Sequence, residues 1–332
     1  MKAPHFWTGG LDPKSREAAP LTRMLLTPLE SLYIWGFMRR WRRAQPAPAP
    51  VPIICIGNVT VGGVGKTPIV ALVRERLTDM GYRAATLSRG HGGRLKNPTR
   101  VDTDQHTAQD VGDEPLMLAA SGETWIGRDR ASAATVMAEA GVEVIVMDDG
   151  FQTPSVEKTL SFLVIDGDAG FGNGYCLPKG PMREPYDTAN ARADYRIIGG
   201  SGDALPAALK DGALRARLVP KVTPPEGPLV AFAGIGRPRK VFDSLREAGA
   251  DLRDGVGFED HYVYTQSDMD FLRKLAADHG ARLITTEKDF ARLPKDWREG
   301  ILTWPVAMDF GKDLEKLDAA LKRAVEGFGN GN

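Results

Sequence analysis

A glycine-rich segment near residue 60 has the residue types and spacing of a nucleotide phosphate-binding loop. It reads Thr60-Val61-Gly62-Gly63-Val64-Gly65-Lys66-Thr67. In such loops the glycines let backbone N–H groups surround phosphates, the lysine reaches the β- and γ-phosphates, and the threonine binds Mg²⁺. Thr60 replaces the first glycine of the usual pattern, but an apolar run at 52–57 precedes the loop and a helical pattern follows it. Strand, loop and helix in this order predict a nucleotide site.

Two adjacent acids, Asp148 and Asp149, end a second apolar run that begins at Val142. A strand that ends in acids is the expected Mg²⁺-binding partner of a phosphate loop. A helix cap or a turn is the alternative for acids in this position. Together with Thr67, the two residues are the Mg²⁺ candidates, and the pattern leaves open which acid binds the ion.

The chain lacks the Asn/Thr-Lys-x-Asp tetrad that reads a guanine base. The nearest segment, Thr286-Glu287-Lys288-Asp289, has no asparagine, so we expect ATP rather than GTP. The glycines of the loop also resemble those of membrane-partitioning ATPases, although such proteins carry a lysine where this chain has Val61. The loop by itself leaves kinases, ligases and ATPases open.

Four further polar segments follow strands or precede helices, which are the places where α/β sheets carry their sites. They are Ser88-Arg89-Gly90, Gly112-Asp113-Glu114-Pro115, Leu177–Pro185 with Arg183 and Glu184, and Asp260-His261-Tyr262. Each segment has a structural alternative. Asp113 or Glu114 can cap a helix, and the other charged residues can form turns or solvated ion pairs. None of the four predicts catalysis alone.

Seven short apolar runs alternate with helical stretches and predict an α/β protein, with a P-loop NTPase-type parallel sheet and helices on both faces. The runs are 52–57, 84–87, 142–149, 162–165, 195–198, 229–233 and 283–285. Prolines at 220, 224, 225 and 228 separate the last two runs from the first five. We therefore expect a nucleotide-binding domain over 51–223 and a second, smaller α/β domain over 224–332.

Residues 1–50 carry eight Lys or Arg and three Asp or Glu, a net charge of +5 in a chain whose total is zero. Thr27, Pro28 and Glu30 have the pattern of a helix start, and an apolar helical face follows up to the arginines that end at Arg43. Two interpretations remain open: an amphipathic helix in a membrane interface, or a helix packed on the core of the protein.

The composition excludes several other classes. The 43 basic and 43 acidic residues argue against a broad nucleic-acid-binding surface. Cys55 and Cys176 are too few for a disulfide framework, and neither has the spacing of a zinc ligand. No apolar run reaches the roughly 18 residues of a membrane-spanning helix. These features favour a cytosolic protein.

Taken together, the motifs resemble those of the tetraacyldisaccharide 4′-kinase family, the lipid A kinases of Gram-negative bacteria. The matching segments are 57–68, Ser88-Arg89-Gly90, 112–115, Asp148-Asp149-Gly150-Phe151-Gln152, 177–185, 231–236, 260–262 and 285–289. They occur in order from about residue 27 to residue 293. The loop of this family also lacks the glycine at Thr60, whereas His91 stands where the family more often has tyrosine.

The resemblance implies transfer of the ATP γ-phosphate to the 4′-hydroxyl of an acylated glucosamine disaccharide 1-phosphate, giving lipid IVA. It implies that Asp113 is the general base and that His261 is its partner across a domain cleft. Lys66 and Arg183 are expected to offset charge on the transferred phosphate, and Glu184 joins the Mg²⁺ candidates. Such an enzyme acts at the cytoplasmic face of the inner membrane on an anionic lipid surface, which favours the membrane interpretation of the helix.

Neither nucleic acid nor an obligate protein partner is expected. Two other classes stay open on the residues alone. One is a membrane-associated regulatory or partitioning ATPase, which would hydrolyse ATP without an acceptor. The other is a non-enzymatic scaffold that binds a nucleotide.

Overall fold

The computed structural model describes residues 4–12, 14–63, 65–260 and 262–329. The strands in this part of the chain are β1 (Ile53–Gly57), β2 (Ala84–Ser88), β3 (Thr99–Arg100), β4 (Thr124–Ile126), β5 (Val144–Asp148), β6 (Leu160–Asp166), β7 (Tyr195–Gly199), β8 (Leu214–Pro220), β9 (Leu229–Ala233), β10 (Leu252–Gly257), β11 (Arg282–Thr286), β12 (Leu302–Trp304) and β13 (Val306–Asp309). The α-helices are α1 (Pro20–Arg43), α2 (Lys66–Asp79), α3 (Ala108–Val111), α4 (Asp113–Ala119), α5 (Arg130–Glu139), α6 (Tyr186–Asn190), α7 (Ala207–Lys210), α8 (Pro238–Glu247), α9 (Gln266–Asp278), α10 (Glu287–Arg292) and α11 (Leu314–Glu326).

A nine-stranded sheet in the order β13-β8-β7-β6-β1-β5-β2-β4-β3 forms the larger half of the molecule. Its strands are parallel except at the two edges, where β13 and β3 run antiparallel to their neighbours. Strand β1 lies between β5 and β6, and Ile56 of β1 is in register with Asp148 of β5. The phosphate loop and the acidic pair therefore leave the same edge of the sheet side by side.

Alternate residues of β1 supply the two cores on opposite faces of this sheet. Ile54 and Ile56 pack in a cluster that includes Val73 of α2 and Leu317 of α11. Ile53 packs on the other face in a cluster with residues of α5. Burial on both faces explains why the strand sequence is continuously apolar rather than alternating. The predicted parallel sheet with helices on both faces is confirmed.

A second sheet, in the order β10-β9-β11-β12, is entirely parallel and forms the smaller α/β unit. Strand β9 begins after the proline-rich segment, as the sequence predicts. The C-terminal part of the chain does not belong to this unit. Strand β13 pairs antiparallel with β8, and Leu317 and Leu321 of α11 lie in the core of the large sheet. Residues 306–326 thus return to the first sheet, which differs from the expected extent of 224–332.

Helix α1 begins at Pro20, eight residues before Pro28, the predicted first helical position after a Thr27 cap. Pro20 takes the first-turn position that prolines favour, and the preceding Ala19 adopts a left-handed conformation, φ 43°. Thr27 donates a hydrogen bond to the carbonyl of Arg23 instead of capping the helix. The predicted start is therefore wrong, because a proline farther upstream serves equally well.

One side of α1 lies against the protein and the other is exposed. Phe37 is buried, and Glu30 is 8% exposed. The opposite side forms an exposed apolar face of Leu21, Met24, Leu25, Leu29, Leu32 and Trp35. No helix within the described residues combines the length and apolar character that crossing a membrane requires.

Candidate active site at the edge of the large sheet

The phosphate loop joins β1 to α2 in the predicted geometry. Gly65 precedes the first residue of α2 with φ 79°, and Gly62 has φ 105°, both in the left-handed region that favours glycine. Because Gly65 has no side chain to cap the helix, the first-turn N–H groups of α2 remain available to an anion, and the helix dipole adds positive potential there. Val64 lies outside the described residues.

The ammonium group of Lys66 is fixed by two partners. Its Nζ donates to Oδ1 of Asn58 at 2.9 Å and lies 3.3 Å from Oδ1 of Asp149. Asn58 is fully buried and donates in turn to the carbonyl of Thr60 at 2.7 Å. Asn58 and Asp149 thus fix the position of the ammonium group at the loop.

Asp149 connects the phosphate loop to the 177–185 loop. Its Oδ2 accepts a hydrogen bond from Nη1 of Arg183 at 2.7 Å, and its Oδ1 faces Lys66. Desolvation raises the pKa of Asp149, but the charges of Lys66 and Arg183 outweigh it and leave the pKa below the ordinary value. The carboxylate therefore stays ionised between two cations, and its φ of 50° places it in a conformation that aspartate tolerates better than most residues.

Backbone hydrogen bonds also join the two loops. The N–H of Val61 donates to the carbonyl of Pro181 at 2.8 Å, and the N–H of Arg183 donates to the carbonyl of Val59 at 2.6 Å. Thr60 and Met182 form an isolated antiparallel bridge between them. The Arg183 side chain is thereby delivered to the phosphate loop by the backbone as well as by Asp149.

Asp148, at the end of β5, is a buried acid with few partners. Its hydrogen bond from Ser88 Oγ is 3.5 Å long. Burial raises its pKa to about 7, and the nearby charge of Glu114 adds to the effect. Below it, the buried Arg130 donates to the carbonyl of Gly127 at 2.5 Å. The pKa of Arg130 is lowered to about 10 by desolvation.

The donors around Asp148 fit Mg²⁺. Carboxylate and hydroxyl oxygens, such as those of Asp148 and Thr67, are its preferred ligands, and nucleotide-bound Mg²⁺ takes one or two protein ligands plus phosphates and water. The described residues hold no cluster of three or more His, Cys, Asp or Glu side chains suited to a metal. The cation would also offset the charge of the buried carboxylate, which Lys66 and Arg130 offset in part.

Glu184, a Mg²⁺ candidate from the sequence, is fully buried and engaged by other side chains. Its Oε1 accepts from Nε2 of Gln152 at 2.9 Å, and its Oε2 accepts from Nη2 of Arg192 at 2.7 Å. Gln152 also donates to the carbonyl of Asn58 at 2.8 Å. In this arrangement Glu184 braces the 177–185 loop against the phosphate loop.

Asp113 lies at the start of α4, after a glycine that the local geometry requires. Gly112 has φ 92°, and a Cβ at this position would lie 2.5 Å from the carbonyl oxygen of His91. The carboxylate of Asp113 does not cap the helix. Its Oδ2 accepts from Nε and Nη2 of Arg292 at 2.8 and 2.5 Å. His261, its expected partner, lies outside the described residues.

Arg292 comes from α10, in the smaller half of the molecule, so its contact with Asp113 joins the two sheets. Nη1 of Arg292 donates to the carbonyl of Gly234 at 2.7 Å and to Oδ1 of the buried Asp289 at 3.0 Å. Nearby, Lys288 lies 3.2 Å from Glu114. The sequence patterns did not single out Arg292 or Arg130, because neither belongs to a local motif and their contacts with Asp113 and with the carbonyl of Asp148 join residues distant in the chain.

The fold and the site together define a phosphate-loop nucleotide-binding protein of the α/β class. A family model described as tetraacyldisaccharide-1-P 4′-kinase, LpxK, matches residues 22–326. The chain therefore belongs to this family, and the resemblance seen in its motifs is confirmed.

Similar proteins support the assignment along the whole chain. A tetraacyldisaccharide 4′-kinase of Hyphomonas neptunium is 57% identical over 323 residues, which cover 97% of each chain. A protein of the same name from Caulobacter vibrioides is 47% identical, over 93% of this chain and 96% of its own. A crystal structure of LpxK from Aquifex aeolicus with ATP has a TM-score of 0.74 at 24% identity and covers 92% of this chain and 99% of that one, which shows a shared fold.

Asp148→Asn should make the nucleotide-free protein more stable near pH 7.5. The pKa of about 7 lies above the ordinary 3.8, so between about pH 4 and 7 the folded state holds a proton that the unfolded chain has lost. Stability should therefore fall as pH rises through this window, and the asparagine variant should show a shallower fall. Thermal unfolding at a series of pH values, without Mg²⁺, measures this. Asp278→Asn, at an exposed position, is the control; equal slopes for wild type and Asp148→Asn would contradict the account.

Proposed function

We propose that this protein is an ATP-dependent kinase that transfers the γ-phosphate to the 4′-hydroxyl of tetraacyldisaccharide 1-phosphate and yields lipid IVA. The observation that carries the proposal is the placement of Asp113. Asp113 is the first residue of α4 and contacts the smaller half of the molecule through Arg292. The charge of the next residue, Glu114, contributes to the raised pKa of Asp148 at the end of β5. A carboxylate at the junction of a phosphate site and a second unit suits proton abstraction from a bound acceptor.

We assign the phosphate contacts to the loop 60–67 and Lys66. Charge that develops on the transferred group is offset by Lys66 and by Arg183, whose guanidinium is already held at the loop by Asp149. Thr67 and Asp148 would hold Mg²⁺, which supplies further charge compensation when bound. Glu184 acts through Gln152 and Arg192 by keeping the 177–185 loop in place.

Asp113 acts as the general base toward the sugar hydroxyl, with His261 as its partner. A sugar hydroxyl is a poor nucleophile, so a positioned base contributes to the rate. Arg292 is anchored by Asp289 and Gly234 and holds one carboxylate oxygen of Asp113, which fixes the orientation of that carboxylate. The second sheet, residues 229–304, would thus close over the nucleotide domain and complete the site.

The exposed apolar face of α1 suits the membrane surface on which such a lipid resides. Its leucines and Trp35 are more than half exposed, and Arg40, Arg42 and Arg43 lie in the last turn. Apolar side chains that enter the headgroup region together with nearby cations bind anionic lipid surfaces. We therefore place the protein peripherally on the cytoplasmic face of the inner membrane.

The direct test of the activity is incubation with γ-labelled ATP and the lipid disaccharide monophosphate in mixed micelles, followed by chromatography of the lipid fraction. Label should appear in the lipid with the wild-type protein and fall by orders of magnitude with Lys66→Ala. Label released as inorganic phosphate at a rate independent of the lipid would identify an ATPase. ATP binding without transfer would identify a scaffold. Either result would overturn the proposal.

Asp113→Asn should lower kcat by about 10²- to 10⁴-fold, the usual contribution of a general base. The amide cannot take the proton, yet it preserves the shape of the side chain. The affinity for ATP should stay within a few fold. Steady-state kinetics and calorimetric ATP titration measure the two effects, with Asp278→Asn as the matched control. If ATP affinity fell in parallel with kcat, Asp113 would belong to the nucleotide or metal site.

The double variant Leu25→Glu, Leu29→Glu should release the protein from anionic vesicles. Both leucines lie on the exposed apolar face of α1, at 72% and 52% exposure, and neither is part of a buried core. Vesicle sedimentation measures the effect, and Leu218→Glu, at a leucine 53% exposed on β8, is the control. Unchanged sedimentation of the double variant would show that the exposed face of α1 does not bind the vesicles.

A further inference from the structure

The protein-facing side of α1 contacts the same loop that carries Arg183. Glu30 and Tyr33, one turn apart, contact Cys176 and Arg183, and Trp41, about two turns farther on, contacts Arg192 beyond the loop. A helix that served solely as a membrane anchor would need none of these polar contacts. Their common target, the 177–185 loop and its flanks, is the segment that is hydrogen-bonded to the phosphate loop.

Glu30 makes contacts that a membrane anchor does not need. It is a carboxylate on a largely exposed helix, yet it is 8% exposed. Its Oε1 accepts from the N–H of Cys176 at 2.8 Å, and its Oε2 lies 3.4 Å from Nζ of Lys179. Burying a carboxylate is costly unless hydrogen bonds and a counter-charge offset it, and here both come from one loop. Glu30 thus ties α1 to the start of that loop.

Tyr33 acts one turn farther along α1. Its hydroxyl donates to the carbonyl oxygen of Arg183 at 2.8 Å. The N–H of the same Arg183 donates to Val59, and its guanidinium donates to Asp149. The backbone of Arg183 is therefore held by α1 at its carbonyl and by the segment before the phosphate loop at its N–H.

Trp41 completes the contact at the end of the helix. The guanidinium of Arg192 lies 4.0 Å from the centre of the Trp41 ring and pairs with Glu184 at 2.7 Å. A cation over an aromatic face at this distance is attracted to it. The helix is thus joined to both functional residues of the loop, Arg183 directly and Glu184 through Arg192.

We propose that Glu30 and Tyr33 are positioning residues for phosphoryl transfer, which hold Arg183 in register with the phosphate loop. The inference rests on the proposed kinase function and deepens it, because the helix that meets the membrane also sets the position of a charged group in the active site. The two sides of α1 then have separate functions. The exposed apolar face binds lipid, and the side with Glu30 and Tyr33 acts on turnover.

Tyr33→Phe removes one hydroxyl and keeps the ring. We expect kcat in mixed micelles to fall about tenfold. Without the hydrogen bond, Arg183 would be less well placed to stabilise the transition state, and a loss of about 1.4 kcal/mol there is a factor of ten in rate. KM for ATP and sedimentation with anionic vesicles should change less than twofold. Ser31→Ala, which removes an exposed hydroxyl from the same helix, should leave kcat unchanged. An unchanged kcat in Tyr33→Phe, or a fall matched by lost vesicle binding, would overturn the inference.

Glu30 provides a test by conservative replacement. Glu30→Gln keeps an oxygen that can accept from the Cys176 N–H but loses the charge opposite Lys179, whereas Glu30→Ala loses both contacts. We expect kcat to fall less in Glu30→Gln than in Glu30→Ala. Equal effects of the two variants, at equal thermal stability, would leave Glu30 with a purely structural role.

A readout independent of catalysis separates this inference from the proposed function. Amide hydrogen exchange at Arg183 should quicken in Tyr33→Phe relative to wild type and Ser31→Ala, because the peptide loses its support from α1. If the wild-type protein transfers no phosphate to the lipid, the proposed function fails while this exchange result still stands. Unchanged exchange at Arg183 would overturn the positioning role even in an active kinase.

Discussion

The ion pairs that Asp149 makes with Lys66 and Arg183 are the interaction on which the site depends. Three chain segments meet at this carboxylate: the end of β5, the start of α2 and the 177–185 loop. Without its charge, two cations would face each other at the place where phosphate must bind. With it, both cations are already in position, so the reorganisation needed when phosphates bind is small. The left-handed backbone at Asp149 directs the carboxylate between them.

The second constraint is the joining of the two sheets by charged side chains. Arg292 and Lys288 of α10 reach Asp113 and Glu114 at the start of α4. A separate pair of contacts, Arg237 with Asp166 at 2.9 Å and Lys240 with Asp168, joins α8 to the end of β6. The two α8 pairs are partly exposed, and exposed pairs contribute little free energy, whereas the Arg292–Asp113 pair is mostly buried, at 8% and 14% exposure.

Much of the large sheet was predictable because its determinants are local. Most of its buried strands, such as β1, β2, β5 and β6, have their own apolar run, and the glycines before Lys66 are a local signal for a loop. The return of residues 306–326 to the first sheet was not predictable, because the pairing of β13 with β8 joins strands about ninety residues apart. For the same reason the contact between Arg292 and Asp113 has no local signal. The start of α1 was misplaced because two prolines, Pro20 and Pro28, both suit a helix beginning.

Lys66 and Arg183 hold Asp149 ionised, and the pKa of its carboxyl group in the nucleotide-free protein measures this most directly. Carboxyl ¹³C NMR of aspartate-labelled protein, with the signal assigned by Asp149→Asn, gives that pKa. We predict a pKa below the ordinary aspartate value in the wild type. In the double variant Lys66→Ala, Arg183→Ala it should rise above that value, because desolvation is then unopposed. An ordinary pKa that does not respond to loss of the two cations would contradict the account.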